Sequence, residues 1–435
     1  MQIAMIGTGY VGLVSGACFS EFGFSVTCVD KNENKITQLK SNKMPIYEPG
    51  LDVLVKKNQD AGRLSFTTDL NRTVADADVV FIAVGTPTRR GDGHADLSYV
   101  FDAAEEIAEY ISGYTVIVTK STVPVGTGKK IFKIIRQKRS DLKFDVASNP
   151  EFLREGSAIN DFMRPDRVVV GVMGEEAKNV LEKIYSPLNL IETPIQFTNL
   201  ETAELIKYAA NAFLAVKISY INQIADLCEK VGADVHDVAK GMGLDKRIGA
   251  KFLHPGPGFG GSCFPKDTIA LVKTAEQVGG KISIVEEVVS YNQERKLSMA
   301  QRIISQLKTG IKNKKVSILG LAFKPETDDM RDSPALEIIS ELYSKGANII
   351  AYDPAAMNEA KSFFQDKVVF AEDSENCIRG ADVCVIITEW NEFRAIPASK
   401  FSDLMNGNVV VDLRNIYSPH EMRGAGLNYS SIGRV

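Results

Sequence analysis

The stretch Gly7-Thr8-Gly9-Tyr10-Val11-Gly12 decides the fold, because it lies between a strand-like apolar run, 2–6, and an apolar helical run, 13–22. Three glycines in this spacing between a strand and a helix are typical of the turn that holds a dinucleotide pyrophosphate at a helix N-terminus. The next strand-like run ends at Asp30, about 20 residues beyond the glycines, where a carboxylate binds the adenosine ribose and repels a 2′-phosphate. The stretch therefore predicts a dinucleotide-binding domain that takes NAD in preference to NADP. The alternative is an ordinary glycine turn followed by a solvated aspartate.

Strand-like runs alternate with amphipathic runs at both ends of the chain. The predicted strands of the first half are Gln2–Ile6, Ser25–Val29, Val79–Val84, Thr115–Thr119 and Arg167–Val172. Those of the second half are Lys315–Leu319, Asn348–Tyr352, Val383–Thr388 and Asn408–Leu413. Most are apolar on both faces, which is typical of parallel sheets covered by helices on both sides. The pattern predicts an α/β fold with two Rossmann-like doubly wound domains.

A long helix is predicted between the two domains, from about residue 199 to residue 231, where the sequence has neither Pro nor Gly. Thr198 and Glu201 have the spacing of a capping box at its start. At 1.5 Å per residue this helix would be roughly 45–50 Å long, enough to join two domains. We therefore predict three parts, with boundaries at 1–198, 199–300 and 301–435.

Composition limits the classes of partner. The 435 residues carry 51 Lys and Arg against 55 Asp and Glu, a net charge of −4, so no basic surface for nucleic acid is predicted. No run of apolar residues is long enough to span a membrane, and the N-terminus lacks the basic start of a signal peptide. Six cysteines without a CxxC pair predict neither a disulfide framework nor a metal site. We expect a reduced, cytoplasmic protein.

The stretch Gly258-Phe259-Gly260-Gly261-Ser262-Cys263-Phe264-Pro265-Lys266-Asp267 carries the strongest chemical signal. Its glycines allow the backbone to approach a substrate closely, and Cys263 directly precedes a predicted helix, 266–278. A thiol at a helix N-terminus beside Lys266 is expected to react as a thiolate. Asp267, four residues further on, can act on a proton or a water on the same helix face. The alternative is an inert buried cysteine.

Weaker signals lie elsewhere in the chain. Lys207 and Asn211 are four residues apart on the long helix and share a face, and partial burial would make Lys207 a usable base. A solvated lysine is the alternative. Polar loops follow three predicted strands, at 84–87, 121–126 and 148–156, which is where doubly wound sheets bind ligands. Ordinary turns and surface charge are the alternatives there.

The order and spacing of these motifs resemble the UDP-glucose/GDP-mannose dehydrogenase family over nearly the whole chain. The matching motifs are GTGYVG, VGTP, STVPVGT, SNPEFLREG, ELIKYAANAFLA, RIGAKFL, GFGGSCFPKD and LGLAFKPETDDMRDSP. The resemblance implies that 1–198 binds NAD and that 301–435 binds a UDP-sugar. It also implies that 199–300 is a helical connector that carries the catalytic cysteine loop and the interface of a homodimer.

The resemblance further implies roles for single residues. Cys263 would be the covalent nucleophile. Protons and the oxyanion would be handled by Lys207, Asn211, Asp267, Thr122 and Glu151, the last two through water. The implied NAD contacts are Gly7, Gly9, Val11, Gly12, Asp30, Lys35, Thr86, Thr122, Glu155, Lys266 and Arg331.

The implied contacts with the nucleotide sugar come from three regions of the chain. They are Glu151, Phe152, Leu153, Arg154, Glu155, Lys207, Asn211, Phe252, Leu253, His254, Pro255, Gly256, Gly260, Lys324 and Arg414. Arg247 matches a residue that reaches the substrate of the neighbouring subunit. His254 and Pro255 are local differences from the family's loop, so backbone contacts there are expected to persist while side-chain contacts differ.

The implied reaction is a four-electron oxidation of the sugar's primary alcohol to the acid, with two NAD and a thioester on Cys263. The motifs RIGAKFL and FLHPGPGFGGSCFPKD favour UDP-glucose as substrate. GDP-mannose or a UDP-N-acetyl sugar, oxidised by the same mechanism, is the nearest alternative. A two-electron hydroxyacid dehydrogenase would have no use for Cys263. A non-catalytic regulator that senses NAD would not need a complete cysteine site.

Overall fold

The computed structural model describes residues 1–89 and 93–434. Contacts between residues divide the chain into two units. The first unit comprises Met1–Ala210 and Lys273–Gly279, and the second comprises Asn211–Val272 and Gly280–Val435. The mixed α/β architecture with two sheets and a long helix confirms the predicted fold class. The three-part division of the chain stays a prediction.

The first unit contains an eight-stranded sheet with the order β3-β2-β1-β4-β5-β6-β7-β8. The strands are β1 Gln2–Ile6, β2 Ser25–Val29, β3 Leu64–Thr67, β4 Val79–Ile82, β5 Thr115–Thr119, β6 Phe144–Ser148, β7 Val168–Val172 and β8 Ile195–Thr198. The helices are α1 Tyr10–Glu21, α2 Glu33–Lys40, α3 Leu51–Asp60, α4 Leu70–Ala75, α5 Ser98–Tyr110, α6 Thr127–Lys138, α7 Ala158–Met163 and α8 Glu175–Tyr185. The strand order reverses between β1 and β4, which is the position where doubly wound sheets bind ligands.

The first sheet departs from the predicted parallel arrangement at one pair of strands. β6 and β7 are antiparallel, with Ala147 opposite Val172. Residues 149–167 connect the two strands, and within them only α7 is helical. Because β7 runs antiparallel to β6, the chain enters β7 at the same end of the sheet at which it left β6.

The second unit contains a six-stranded, wholly parallel sheet with the order β11-β10-β9-β12-β13-β14. Its strands are β9 Lys315–Leu319, β10 Asn348–Tyr352, β11 Val368–Phe370, β12 Val383–Ile386, β13 Val409–Asp412 and β14 Asn428–Ser431. The helices from here on are α9 Leu200–Val231, α10 Val235–Gly243, α11 Phe264–Gln277, α12 Ser283–Ser305, α13 Pro334–Ser344, α14 Met357–Phe364, α15 Ser374–Ile378, α16 Asn391–Arg394, α17 Ala398–Leu404 and α18 Pro419–Gly424. Two of them, α9 and α11, have residues in both units.

Helix α9 has 32 residues and confirms the predicted long helix. Its start differs from the predicted capping box, because the Asn199 side chain accepts a hydrogen bond from the Thr202 backbone N–H at 2.8 Å. Asn199 therefore caps the helix one residue after Thr198, and Glu201 forms an ion pair with Lys129 instead. Asparagine caps helices as well as threonine does, so sequence spacing alone did not separate the two sites.

The pattern of burial along α9 is unusual. Three polar side chains, Glu204, Lys207 and Asn211, are buried, whereas Phe213 is 64% and Leu227 51% exposed.

None of the helices in the described part of the chain is both long enough and apolar enough to span a membrane.

Candidate active site

The glycine turn after β1 has the geometry of a pyrophosphate site. Gly7 has φ +99°, and a Cβ there would lie 2.6 Å from the Ala83 carbonyl oxygen, so only glycine fits. A Cβ at Gly12 would lie 2.0 Å from the Gly7 carbonyl oxygen, whereas one at Gly9 would meet no atom within 4 Å. Gly9 is the N-cap residue of α1 and has no side chain that could cap the helix. The N–H groups of the first turn, which includes Val11, can therefore bind an anion. These residues fit NAD.

Asp30 follows β2 and is fixed beside this turn. Its Oδ2 accepts hydrogen bonds from Thr8 Oγ1 at 2.6 Å and from the Thr8 backbone N–H at 3.0 Å. Its Oδ1 accepts from the Asn32 N–H. Burial opposes ionisation, but these bonds outweigh it, and the pKa of Asp30 lies below its ordinary value. The group is therefore a carboxylate, which can accept from ribose hydroxyls and repels a 2′-phosphate.

The two lysines near Asp30 have carboxylate partners. Lys35 Nζ lies 3.2 Å from Asp30 Oδ2, and Lys31 pairs with Glu106. Because both ammonium groups face carboxylates of this chain, neither provides a dedicated site for a 2′-phosphate. This arrangement favours NAD.

We expect NAD to exceed NADP in kcat/KM by at least about tenfold, and the change Asp30→Ala to narrow that gap. The reason is that Asp30 contributes both attraction to the ribose hydroxyls and repulsion of the phosphate. Steady-state rates with each cofactor measure the ratio. Asp60→Ala, which alters an exposed carboxylate on α3, is the matched control. Equal use of both cofactors by the unmodified protein would contradict the role of Asp30.

Two further loops meet at the carboxyl ends of β4 and β5. Thr86 Oγ1 donates to the Thr122 carbonyl oxygen at 3.0 Å, and Ser121 Oγ donates to the Val84 carbonyl oxygen at 2.7 Å. Thr122 also lines a small cavity within the first unit. The cavity is lined by Thr119, Ser121, Thr122, Val123, Ser148, Pro150, Glu204 and Lys207. The structure thus brings Thr122 and Lys207, two of the predicted catalytic residues, to one cavity.

Lys207 forms a buried ion pair with Glu151. Lys207 Nζ lies 3.0 Å from Glu151 Oε1, and the two side chains are 3% and 6% exposed. The other oxygen, Oε2, accepts from the Leu153 N–H at 2.5 Å. Lys207 Nζ also lies 5.3 Å from the centre of the Phe152 ring. The alternative of a solvated lysine is therefore wrong, and the ammonium has a fixed position from which it can stabilise negative charge.

The loop after β6 is fixed at its far end by residues that the sequence analysis missed. Glu48 accepts from the Gly156 and Ala158 N–H groups, each at 2.7 Å, and from the Tyr10 hydroxyl. Glu155 lies within this loop, and Arg154 forms an ion pair with Asp161. Nothing local in the sequence indicated Glu48, because the backbone groups that it binds, at Gly156 and Ala158, lie more than 100 residues away along the chain.

Two more buried ionisable groups were missed. Lys120, at the end of β5, donates to Asn149 Oδ1 at 3.0 Å, and burial lowers the pKa of its ammonium to about 8. Glu204 accepts from the Gly126 and Gly128 N–H groups, and burial raises its pKa to about 7. A signal did exist for Glu204, because Glu204, Lys207 and Asn211 recur at helical spacing on α9.

In the second unit, Cys263 lies at the start of α11. The Asp267 N–H donates to the Cys263 carbonyl oxygen at 2.8 Å, so Cys263 is the N-cap residue of that helix. Cys263 is half-buried, whereas the other five cysteines are buried. Burial raises the pKa of Cys377 to about 11 and of Cys28 to about 12, so these thiols stay protonated. Cys263 is therefore the accessible thiol at a helix N-terminus that the sequence predicted.

Asp267 is buried beside Cys263 and has two polar partners. Asn211 Nδ2 donates to Asp267 Oδ2 at 2.6 Å, and Lys266 Nζ donates to Oδ1 at 2.6 Å. Asp267 is 1% exposed. The structure thus joins Asn211, Lys266 and Asp267 in one hydrogen-bonded group at the first turn of the helix that Cys263 caps.

Four of the predicted sugar-nucleotide residues of the second unit lie at the loops that follow β9 and β13: Gly256, Gly260, Lys324 and Arg414. Arg414 donates to the carbonyl oxygens of Ile387 at 2.7 Å and Phe323 at 2.9 Å, beside Lys324. A Cβ at Gly256 would lie 3.1 Å from Arg414 Nη1, and one at Gly260 would lie 2.3 Å from the Asp332 carbonyl oxygen. Close approach to backbone therefore requires glycine at position 260, whereas at position 256 a side chain would need a small shift of the Arg414 guanidinium.

The remaining predicted residues of the second unit differ in their exposure and in their partners. Phe252 has φ +65°, Leu253 and Pro255 are buried, and His254 is exposed. Arg331 pairs with Asp329, and its carbonyl oxygen accepts from the Gly261 N–H. The Arg247 side chain is 88% exposed and pairs with Asp245.

A doubly wound domain with a carboxylate fixed after its second strand, in a chain that also presents a thiol at a helix N-terminus, is typical of nicotinamide-dependent oxidoreductases. Models of the UDP-glucose/GDP-mannose dehydrogenase family match residues 1–189 (NAD binding domain), 201–294 (central domain) and 317–419 (UDP binding domain). The chain belongs to this family and is an NAD-dependent dehydrogenase.

Similar proteins cover the whole chain. A UDP-glucose 6-dehydrogenase of Rhizobium meliloti is 56% identical over 436 residues, with 100% of each chain covered. A solved UDP-glucose dehydrogenase from Pyrobaculum islandicum has a TM-score of 0.92 at 37% identity, covering 100% of this chain and 98% of that one. A UDP-D-ManNAc dehydrogenase from Pyrococcus horikoshii has a TM-score of 0.87 at 28% identity, covering 100% and 99%.

Proposed function

We propose that this protein oxidises UDP-glucose to UDP-glucuronate and uses two NAD for each sugar. The single structural observation that supports this four-electron reaction is the accessible Cys263 thiol at the start of α11. A dehydrogenase that stopped at the aldehyde would need no such thiol. The choice of UDP-glucose rests on similarity to the Rhizobium meliloti enzyme, which is named for that substrate and matches the chain from end to end.

The first oxidation removes the hydroxyl proton and a hydride from the primary alcohol and leaves an aldehyde. We assign the proton to the Asp267 carboxylate, and NAD, when bound, would supply the hydride acceptor for both oxidations. In this proposal the Lys207 ammonium stabilises the alkoxide, and Asn211 donates a hydrogen bond to the same oxygen. The pairing of Lys207 with the Glu151 carboxylate supports its role, because the carboxylate holds the Lys207 side-chain nitrogen in a fixed position.

The second oxidation requires a bond between Cys263 and the aldehyde. The thiolate adds to the aldehyde carbon, and the oxygen takes up a proton to give a thiohemiacetal. This adduct carries a hydride on the same carbon as a hydroxyl, so loss of that hydride and the hydroxyl proton yields a thioester. Water then attacks the thioester, and the products are the acid and the regenerated thiol. We assign Asp267 to proton transfer in these steps, with Thr122 and Glu151 acting through water.

Contacts with substrate and cofactor complete the proposal, and they are assigned as the family resemblance implies. Glu151 to Glu155, Phe252 to Gly256, Gly260, Lys324 and Arg414 would bind the nucleotide sugar. Thr86, Glu155, Lys266 and Arg331 would join the glycine turn, Asp30 and Lys35 in binding NAD. A cytoplasmic location stays a prediction.

A panel of nucleotide sugars tests the assignment. We expect two NADH for each UDP-glucose consumed, and a kcat/KM for UDP-glucose at least about tenfold above those for GDP-mannose and the UDP-N-acetyl sugars. The panel includes the alternative substrates because the relative from Pyrococcus horikoshii is named for UDP-D-ManNAc. A higher kcat/KM for another sugar would show that UDP-glucose is not the preferred substrate. One NADH per sugar would contradict the four-electron reaction.

We also propose that the protein acts as a homodimer through α9. Phe213, Tyr220 and Leu227 recur every seven residues on this helix and are 64%, 47% and 51% exposed. An exposed row of large apolar residues beside a buried polar face is typical of a subunit interface. The expected partner on this face of α9 is a second copy of this chain. Arg247 of each subunit would reach the substrate bound by the other subunit.

Sedimentation tests the dimer. We expect the unmodified protein to sediment as a dimer and Leu227→Asp as a monomer, because a carboxylate in an apolar interface cannot be paired. Val53→Asp changes an apolar residue on α3 that is more exposed than Leu227, 68% against 51%, and this variant is expected to stay dimeric. A monomeric unmodified protein would exclude the proposal.

A further inference from the structure

Polar side chains of α12 and α9 bind the backbone of the loop 256–263, which is called the thiol loop below. Asn292 on α12 accepts a hydrogen bond from the Phe259 N–H at 2.8 Å and donates one to the Phe259 carbonyl oxygen at 3.0 Å. Asn292 is 6% exposed. One amide therefore satisfies both backbone groups of a residue only four positions before Cys263.

Gly256, at the other end of the thiol loop, is fixed in the same way by two side chains. Its N–H donates to Asn222 Oδ1 at 2.8 Å, and its carbonyl oxygen accepts from Arg295 Nε at 2.7 Å. Arg295 is itself held by Asp226, with Nη1 lying 2.9 Å from Oδ2. The loop is thus bound by buried polar groups on two helices.

The thiol loop also lies very close to α12. Gly258 has φ +115°, and a Cβ there would lie 3.0 Å from both Asn292 Oδ1 and Lys296 Cγ. On its other side, the Gly261 N–H donates to the Arg331 carbonyl oxygen at 2.7 Å. Lys296 Nζ donates to the Asp332 carbonyl oxygen at 2.8 Å. Backbone contact on both sides leaves the loop little freedom to shift.

We propose that Asn292 is a positioning residue that holds Cys263 at the N-terminus of α11. Because both bonds of Asn292 are made to one peptide residue and are buried, they fix the position and the rotation of the chain just before the thiol. Without them the loop can rotate, and the thiol then spends less time at the helix N-terminus, where the thiolate is stabilised. The consequence for catalysis rests on the function proposed above, whereas the consequence for the thiol does not.

Alkylation by iodoacetamide, without substrate or NAD, tests this role. The other cysteines are buried, so the reagent reports on Cys263, and peptide mapping by mass spectrometry confirms the site. We expect Asn292→Ala to slow alkylation at pH 7 by at least about fivefold, since the thiolate is the reacting form. Asn292→Asp keeps the side-chain volume and the bond from the Phe259 N–H but loses the donor. We expect Asn292→Asp to slow alkylation as well, so this variant tests the proposal even if Asn292→Ala does not fold.

Asn58→Ala is the matched control. Asn58 is also fully buried and binds the Leu54 carbonyl oxygen and Glu21, but it lies in the first unit on α3. It should lower the melting temperature as Asn292→Ala does and leave the rate of alkylation unchanged. An unchanged or faster alkylation in both Asn292 variants would overturn the proposal. If alkylation slows as expected but UDP-glucose is not oxidised by the unmodified protein, the proposed function fails and the positioning role stands.

Discussion

Cys263→Ala should reduce the steady formation of UDP-glucuronate by at least about 10³-fold, because without a nucleophile the aldehyde cannot become a hydride donor. The first oxidation needs the thiol only indirectly, so any remaining NADH is expected to come from that step alone. The fold and the affinity for NAD should change little, since a small side chain is removed from a half-buried position. Stopped assays that count NADH and product separately measure the two steps.

Cys228→Ala is the control for this change. It removes a buried thiol, whose pKa is raised by burial, and it should still yield two NADH per sugar. Alkylation of the unmodified protein should reproduce the defect of Cys263→Ala, and substrate should protect against it. A Cys263→Ala variant that forms two NADH per sugar at an undiminished rate would exclude the covalent mechanism.

Lys207→Ala should lower kcat by about 10²-fold or more, because it removes the buried cation assigned to the alkoxide. The change also leaves the Glu151 carboxylate buried without its partner, which costs about 3–5 kcal/mol of stability. Combining Lys207→Met with Glu151→Gln removes both charges, and this double variant should recover much of the stability and none of the activity. Melting temperatures and kcat, measured on the same samples, separate the two effects.

The outcome of the Lys207 variants can decide against the assigned role. If Lys207→Ala changes only the KM for UDP-glucose, the side chain binds substrate equally in the ground and transition states. A double variant that regained activity together with stability would assign the whole loss to folding. Either result would remove Lys207 from the catalytic steps.

Local signals predicted much of the fold. The glycine turn, Asp30 and the cysteine loop are defined by residues close together in the sequence, and backbone geometry leaves few alternatives for them. Gly7 and Gly12 show this clearly, because a Cβ at either position would collide with backbone. Most of the strands were predictable for a related reason, since runs apolar on both faces are typical of buried parallel strands. The strands β3, β8, β11 and β14 were not predicted.

Partners distant in the chain were not predictable. Glu48 binds the N–H of Ala158, 110 residues away, and Asn292 binds Phe259, 33 residues away. Each is an ordinary polar residue until the fold brings its partner close. The α9 pattern was also ambiguous, because helical spacing indicates a helix without saying which face is covered. The spacing therefore left a solvated lysine as an alternative for Lys207, which the buried pair with Glu151 excludes.

Mass analysis of residue 263 in a Cys263→Ser variant, quenched after reaction with UDP-glucose and NAD, tests the central claim most directly. Serine keeps a weaker nucleophile, and its oxygen ester is expected to hydrolyse slowly enough to accumulate. The account predicts that the peptide containing residue 263 gains the mass of one UDP-glucuronyl group. A variant that forms UDP-glucuronate, with two NADH per sugar, while residue 263 stays unmodified would contradict it.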